Sequence, residues 1–255
     1  MNDVLAGARV QLLMFRRAPG YLLLFVAVPF FTFIFISVAR YEHDQAVISK
    51  AILAPGLMGI WMIAVALADM IVITEYSYRT LEISVAAPAS LSLIIAGRVL
   101  TITTLGLTTV AESALIARLV FGESLRLFHP WIFVLSLLLN AIATAGTATI
   151  MTAAFLAFRG ASRYVNALGY PFYLLGCVLL PPSALPAWVR PACDVIYLRW
   201  TSQLLYASVS RAPVGNILAR VAVVLIISLV SYGLGGVLLR RTVTRLRATG
   251  SVGLS

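Results

Sequence analysis

The feature that most constrains this chain is where charge is missing. No Asp, Glu, Lys or Arg occurs within residues 18–39, 127–158, 164–189 or 221–239. A helix needs roughly 20 residues to cross a hydrocarbon layer, and each of these runs is close to that length or longer. Hydrophobic residues make up 61% of the 255, and charged residues only 11%. A soluble domain carries about 25% charged residues, and one of this size has too little interior to hide so much apolar side chain. The pattern predicts an all-α integral membrane protein.

Six transmembrane helices fit the runs best, at about 20–39, 48–73, 92–119, 131–158, from 164 to Pro181-Pro182, and 217–239. The third is the least clean, because Arg98 and Glu112 interrupt it. The first run follows Arg16 and Arg17, as the core of a signal peptide would. It is too long for that and leads into further spans, so it reads as a first membrane helix. Placing the N-terminus in the cytoplasm puts the larger share of the arginines there, concentrated in the two tails, so the positive-inside rule favours both termini on that side. Residues 74–90 then lie in the cytoplasm, and 181–216 lie outside.

The formal charge of +10 invites a nucleic-acid partner. The arginines do not cluster as a groove binder's would; they flank the apolar runs, where membrane lipids are the expected contact. Lys50 is the only lysine and follows Ser49, so a GxxxxGK[ST] phosphate loop is impossible. His43 and His129 have no second histidine nearby to suggest a metal site, and no GxSxG elbow supports an intramembrane hydrolase. The chain is therefore expected to be non-enzymatic, with no cofactor of its own. Cys177 and Cys193 lack metal spacing and read either as buried bystanders or, if both face outwards, as a disulfide.

Asp69, Arg98 and Glu112 fall within or beside proposed spans. Intramembrane charge points by default to a pathway or relay; the alternative is that these side chains reach headgroups or pair between helices. In the outer stretch, Trp188, Tyr197, Trp200 and Tyr206 mix with arginines. They form either an aromatic belt anchoring neighbouring helices or a re-entrant, lid-like element at the mouth of a pathway.

Between the second and third spans lies TEYSYRTLEISVAAPAS, residues 74–90. Thr74 is expected to cap a short helix with Glu75 in its first turn, and Pro88 to stop it. Tyr76, Leu81, Ile83 and Val85 supply apolar anchors, while Glu75, Arg79 and Glu82 supply charged ones. A short helix with both kinds of side chain fits a groove on a soluble partner.

In order and spacing, the chain resembles the permease subunits of ABC-2 type ATP-binding cassette exporters over nearly its whole length. The resemblance is carried by ARVQLLMFRRAPGY before the first span, Glu75, RTLE at 79–82, Pro88, and Gly97-Arg98 in the third span. Pro181, Leu185-Pro186, Trp188 and Pro191 extend it after the fifth. The family's usual glycine before TLE is Arg79 here.

The resemblance implies one ABC-2 type transmembrane domain over 1–255, with an amphipathic N-terminal segment at 1–19, a cytoplasmic coupling segment at 74–90 and short outer helices at 183–215. It implies two copies of a soluble P-loop ATPase, which bind ATP and Mg2+, and a second permease subunit, often an identical one, in a bacterial plasma membrane. The ATPase-coupling role falls on Glu75, Tyr76, Arg79, Thr80, Leu81 and Glu82, with Arg9, Arg16 and Arg17 of the N-terminal helix nearby. Glu112, Asp69 and Arg98 are candidates for a pathway or relay, and Trp188, Tyr197 and Trp200 for the outer segment. Efflux of a drug, lipid, glycan-linked lipid or peptide is the expected function, with multidrug resistance among its outcomes. The alternatives are a proton-coupled secondary transporter and a non-transporting membrane anchor.

Overall fold

The computed structural model describes residues 2–17, 23–42, 44–77, 91–157, 165–180 and 182–249. Among them the α-helices are α1 (Asn2–Arg17), α2 (Leu23–Ala39), α3 (Gln45–Ser77), α4 (Leu91–Gly106), α5 (Thr108–Phe121), α6 (Pro130–Ala157), α7 (Val165–Leu175), α8 (Arg190–Val195), α9 (Tyr197–Ser208) and α10 (Ile217–Thr249). Four stretches are long and apolar enough to cross a membrane: Gln45–Ile73, Leu93–Phe121, Pro130–Ala157 and Ile217–Thr242. The chain is an all-α membrane protein. α2 contributes a shorter apolar stretch, Phe25–Ala39.

Three local expectations differ from the structure. The helix at 165 ends at Leu175, well before the double proline, because the chain turns through Gly176 and Cys177, whose φ is 51°. At 11 residues and 1.5 Å per residue, α7 reaches only about 16 Å. The third apolar stretch, expected as one crossing, is divided at Leu107 into α4 and α5. Gly106 there packs onto Ile60, and the Thr109 hydroxyl donates to the carbonyls of both Gly106 (2.7 Å) and Gly56 (2.8 Å). Finally, α3 runs unbroken through Thr74 to Ser77, so Thr74 does not open a separate helix.

Side-chain contacts fix the helix directions. Along α5, Thr109 bonds Gly56 and Ser113 bonds Ile52, so α5 runs antiparallel to α3. Gly146 meets Ser231 and Tyr232, while Gly235 meets Thr149 and Ile150, so α10 runs parallel to α6. Trp61 stacks on Phe172, which touches Tyr197 at the level of Thr144. Gln45 and Lys50 share a cavity with Phe128, just before α6. α3 and α6 are therefore parallel as well. The C-terminal ends of α3, α6 and α10 gather at one end of the bundle, together with the start of α4. The opposite end holds the start of α3, the 122–129 segment and the end of α9.

α3 is the hub: 78% of its most apolar window is buried, against 22% for α10. Apolar burial alone cannot hold helices together in lipid, because the tails are as apolar as leucine; close packing and interhelical hydrogen bonds do that work. A Cβ on Gly56 would lie 2.8 Å from the Val110 Cα, so α3 and α5 meet nearly backbone to backbone. Beside that contact Thr32 of α2 and Ser113 of α5 share a 2.9 Å hydrogen bond. Within α6 the hydroxyls of Thr149 and Thr152 return to carbonyls four residues back, leaving no hydroxyl unbonded where water is scarce.

α1 crosses α4 on an equally close contact. A Cβ on Gly7 would lie 2.1 Å from the Ile94 carbonyl oxygen, and one on Gly97 would lie 2.1 Å from that of Val4. These are backbone atoms and cannot rotate aside. Gly97→Ala should therefore prise α1 from α4 and cost about 1–3 kcal/mol. It is expected to lower the thermal midpoint of the purified chain and speed proteolysis of α1. Gly233→Ala, which adds a methyl into open space, should leave both unchanged.

Candidate functional site

Of the residues expected to couple to a soluble partner, those within the described residues lie at one end of the bundle. Glu75 and Tyr76 lie in the last turn of α3, and Arg79, Thr80, Leu81, Glu82 and Pro88 lie outside the described residues. Arg9 and Arg16 are exposed on α1, and Arg17 ends that helix. The exposed Arg240, Arg241 and Arg245 lie along the last turns of α10. This end is strongly basic and carries the α3–α4 connection.

Arg98 is 2% exposed and sits one residue after the α1–α4 crossing. Its Nε donates to Gln11 Oε1 at 3.1 Å, and its Nη2 approaches Met14 Sδ at 3.1 Å. Arg98 thus bonds between helices, from α4 to α1. The partner Gln11 was not singled out from sequence, although Gly97-Arg98 marks its site. A glycine permits the approach, and the next side chain then reaches across.

Asp69 is half-buried about two turns before the end of α3. Glu112 is half-buried on α5, and its Oε2 is shielded from solvent without a hydrogen-bond partner. Among the described residues, no group of three or more His, Cys, Asp or Glu is placed to hold a metal ion.

The aromatic residues of the outer stretch part company. Trp188 is 83% exposed, as a belt residue would be. Trp200 donates through Nε1 to the Asp194 carbonyl (3.0 Å) and lies beside the Arg199 guanidinium, which pairs with the Asp194 carboxylate. Tyr197 is fully buried and shares a 2.7 Å hydrogen bond with Thr144, halfway along α6. Thr201 donates to Asn140 (2.9 Å), Ser202 to the Gly176 carbonyl (3.2 Å) and Tyr206 to the Val178 carbonyl (2.9 Å). α9 thus inserts into the bundle alongside α6 rather than lying flat upon it. Cys177 and Cys193 are free thiols, buried with Leu185 in a small cluster beneath α8.

Two cavities flank this core. One, of about 220 Å³, lies between α2, α3 and α7 and is lined by Phe31, Met58, Trp61, Tyr170 and Tyr173. Trp61 and Phe172 stack at 3.8 Å between ring centres, and the Tyr173 hydroxyl donates to the Met58 carbonyl (3.1 Å). Its lining is apolar and aromatic, and no sequence motif announced it. The second, of about 660 Å³, opens at the opposite end, where α3 begins.

The parallel long helices and the inserted α9 define a multi-pass membrane protein. The chain belongs to the ABC-2 type transporter family, whose profile matches residues 3–210. The match runs from α1 to the end of α9, so α10 lies beyond it. No curated protein matches the sequence.

The buried Arg98–Gln11 contact has a measurable consequence. Gln11→Leu removes an acceptor from a buried guanidinium and should cost about 1–3 kcal/mol. Arg98→Lys should not substitute, because an ammonium cannot reproduce the planar fork. Thermal unfolding of the two single variants and the double variant checks this: the combined loss is expected to fall short of the sum.

Proposed function

We propose that the chain is the membrane-spanning permease of an exporter powered by a separate P-loop ATPase. Two ATPase copies and a second copy of the permease would complete the assembly. The observation that carries this reading is the basic end of the bundle: α1, the end of α3, the start of α4 and the arginine-rich end of α10 gather there in a member of the ABC-2 type family. The positive-inside rule assigns that end to the cytoplasm, and with it both termini.

The coupling surface comprises Glu75, Tyr76, Arg79, Thr80, Leu81 and Glu82, joined by Arg9, Arg16 and Arg17. ATP and Mg2+ stay on the partner. Movement of the ATPase would reach the membrane through two connected elements, α3 directly and α4 through α1 by the Gly7–Gly97 crossing and Arg98. The substrate is apolar or amphipathic, in keeping with the aromatic cavity between α2, α3 and α7. Drugs, lipids, glycan-linked lipids and peptides share that character.

Glu112, with its shielded and unpartnered oxygen, favours one rival reading, a proton-driven carrier. The two separate in one experiment on reconstituted vesicles. Under the export reading, Glu75→Lys or Glu82→Lys leaves the permease folded and uncouples ATP hydrolysis from substrate flux by about tenfold or more, as expected when buried interfacial charges lose their partners. Glu112→Gln leaves ATP-driven flux largely intact. Unchanged flux and unchanged ATPase co-purification in both reversal variants would refute the coupling role. Flux without any ATPase, lost in E112Q, would establish the proton-driven carrier instead.

A further inference from the structure

The larger cavity lies at the end of the bundle away from α1, where none of the coupling residues reaches. Its walls come from three separated parts of the chain: the first turns of α3, the 122–129 segment and the end of α9. Each part contributes one cation, Lys50, Arg126 and Arg211 respectively, and all three are exposed. The one acidic side chain in the lining, Glu123, is already engaged by Arg40 at 3.4 Å. Among the described residues no carboxylate pairs with Lys50, Arg126 or Arg211. Arg211 lies over the Phe128 ring, 5.4 Å from its centre.

A membrane protein with 19 basic residues can place them on snorkelling positions anywhere along its rim. Three unpaired cations around a single concavity are a different arrangement, because low-dielectric walls focus their field on whatever enters. The mouth is also amphipathic. Leu127, Phe128 and Trp131 are exposed beside it at 42%, 41% and 58%, which suits the depth where headgroups meet acyl chains. The hydroxyls of Ser49 and Ser124 and the amide of Gln45 line the same hollow and can donate to oxygen. The volume of about 660 Å³ falls in the range of small-molecule pockets.

We infer that this hollow is a binding site for a phosphate-bearing group, held by Lys50, Arg126 and Arg211. The phosphate belongs either to the headgroup of an anionic lipid or to a free anion. A lipid would lay its chains against Phe128 and Trp131, whereas a free anion would enter from water. The inference does not depend on the transport reading, since it concerns an end of the bundle that takes no part in coupling.

Native mass spectrometry of the full-length chain, purified in a neutral detergent, tests it. The ligands are dioctanoyl phosphatidylglycerol, dioctanoyl phosphatidylcholine and inorganic phosphate. Phosphatidylglycerol is expected to bind at least tenfold more tightly than phosphatidylcholine. Each of Lys50→Gln, Arg126→Gln and Arg211→Gln should weaken it about fivefold, the effect of one interfacial cation on an anionic headgroup. The triple variant should lose the preference, and Lys50→Arg should keep it. The single variants alter exposed side chains, so unchanged melting curves will verify their folding and keep the test valid if the triple variant fails to fold.

Displacement of the lipid by millimolar phosphate identifies a general anion site. Resistance to phosphate identifies a lipid site that needs its chains. Equal binding of the two lipids, single variants that bind like the parent, or loss of the preference in the distant Arg240→Gln/Arg241→Gln control would each overturn the inference.

Discussion

Most of this architecture rests on the contact between α3 and α5, where Gly56 meets the Val110 main chain and Thr109 and Ser113 donate to α3 carbonyls. In water, two greasy helices are driven together by the surface they hide. In lipid that driving force vanishes, and association needs close approach and shared hydrogen bonds. The seam provides both in one place. It recruits α2 through the Thr32–Ser113 bond, and just past the break at Leu107 the Thr109 hydroxyl lies within reach of two carbonyls. With α3 held on this side by α2 and α5, its other faces are free to receive α6 and α7. The stack of Trp61 on Phe172 depends on that placement.

The same device recurs at the basic end, with a different outcome. Gly7 and Gly97 bring α1 against α4 as closely as backbones can approach, and Arg98 is buried beside them. A buried guanidinium is costly unless its donors are used, and α1 supplies the acceptors. The cost becomes a specificity device: α1 packs in one register, the one in which Gln11 meets Arg98. An amphipathic helix that merely floated on the membrane surface would need no such register. One tied to a span by a buried charge moves with that span.

The long spans were legible because absence of charge over about 20 residues has one physical meaning. The four long apolar helices each coincide with an expected crossing. What remained hidden depends on partners that hydropathy does not see. Residues 164–182 contain enough apolar side chain for a span, yet α7 stops at Leu175, where Gly176 packs onto Leu198 of α9. Tyr197 and Tyr206 carry the same composition signal as Trp188, but Tyr197 is buried against α6 and Tyr206 is half-buried against the 176–180 turn, while the tryptophan stays out. Aromatic residues among arginines mark proximity to an interface without saying which rings turn inward. Arg98 was legible as an anomaly, and its partner was not, because a glutamine on an amphipathic helix looks like surface. The aromatic cavity had no signature, since Trp61 is far in sequence from the adjacent Phe172 and Tyr173, and all three are ordinary within a greasy run.

The two ends of the bundle differ in how they handle charge, and the difference follows from packing. At the α1 end one arginine is drawn inside and hydrogen-bonded to Gln11 of α1, while Arg9 and Arg16 on α1 and Arg240, Arg241 and Arg245 on α10 stay exposed. At the other end α3 begins, α6 begins and α9 terminates at similar depth, and three helix ends cannot close on one another as helix sides can. The hollow they leave is a consequence of inserting α9 as deep as Thr144: its C-terminal turn must return to the surface beside the start of α3, carrying Arg211 with it. The inserted helix therefore completes the core at mid-depth and opens the basic hollow at the rim, two results of one chain path.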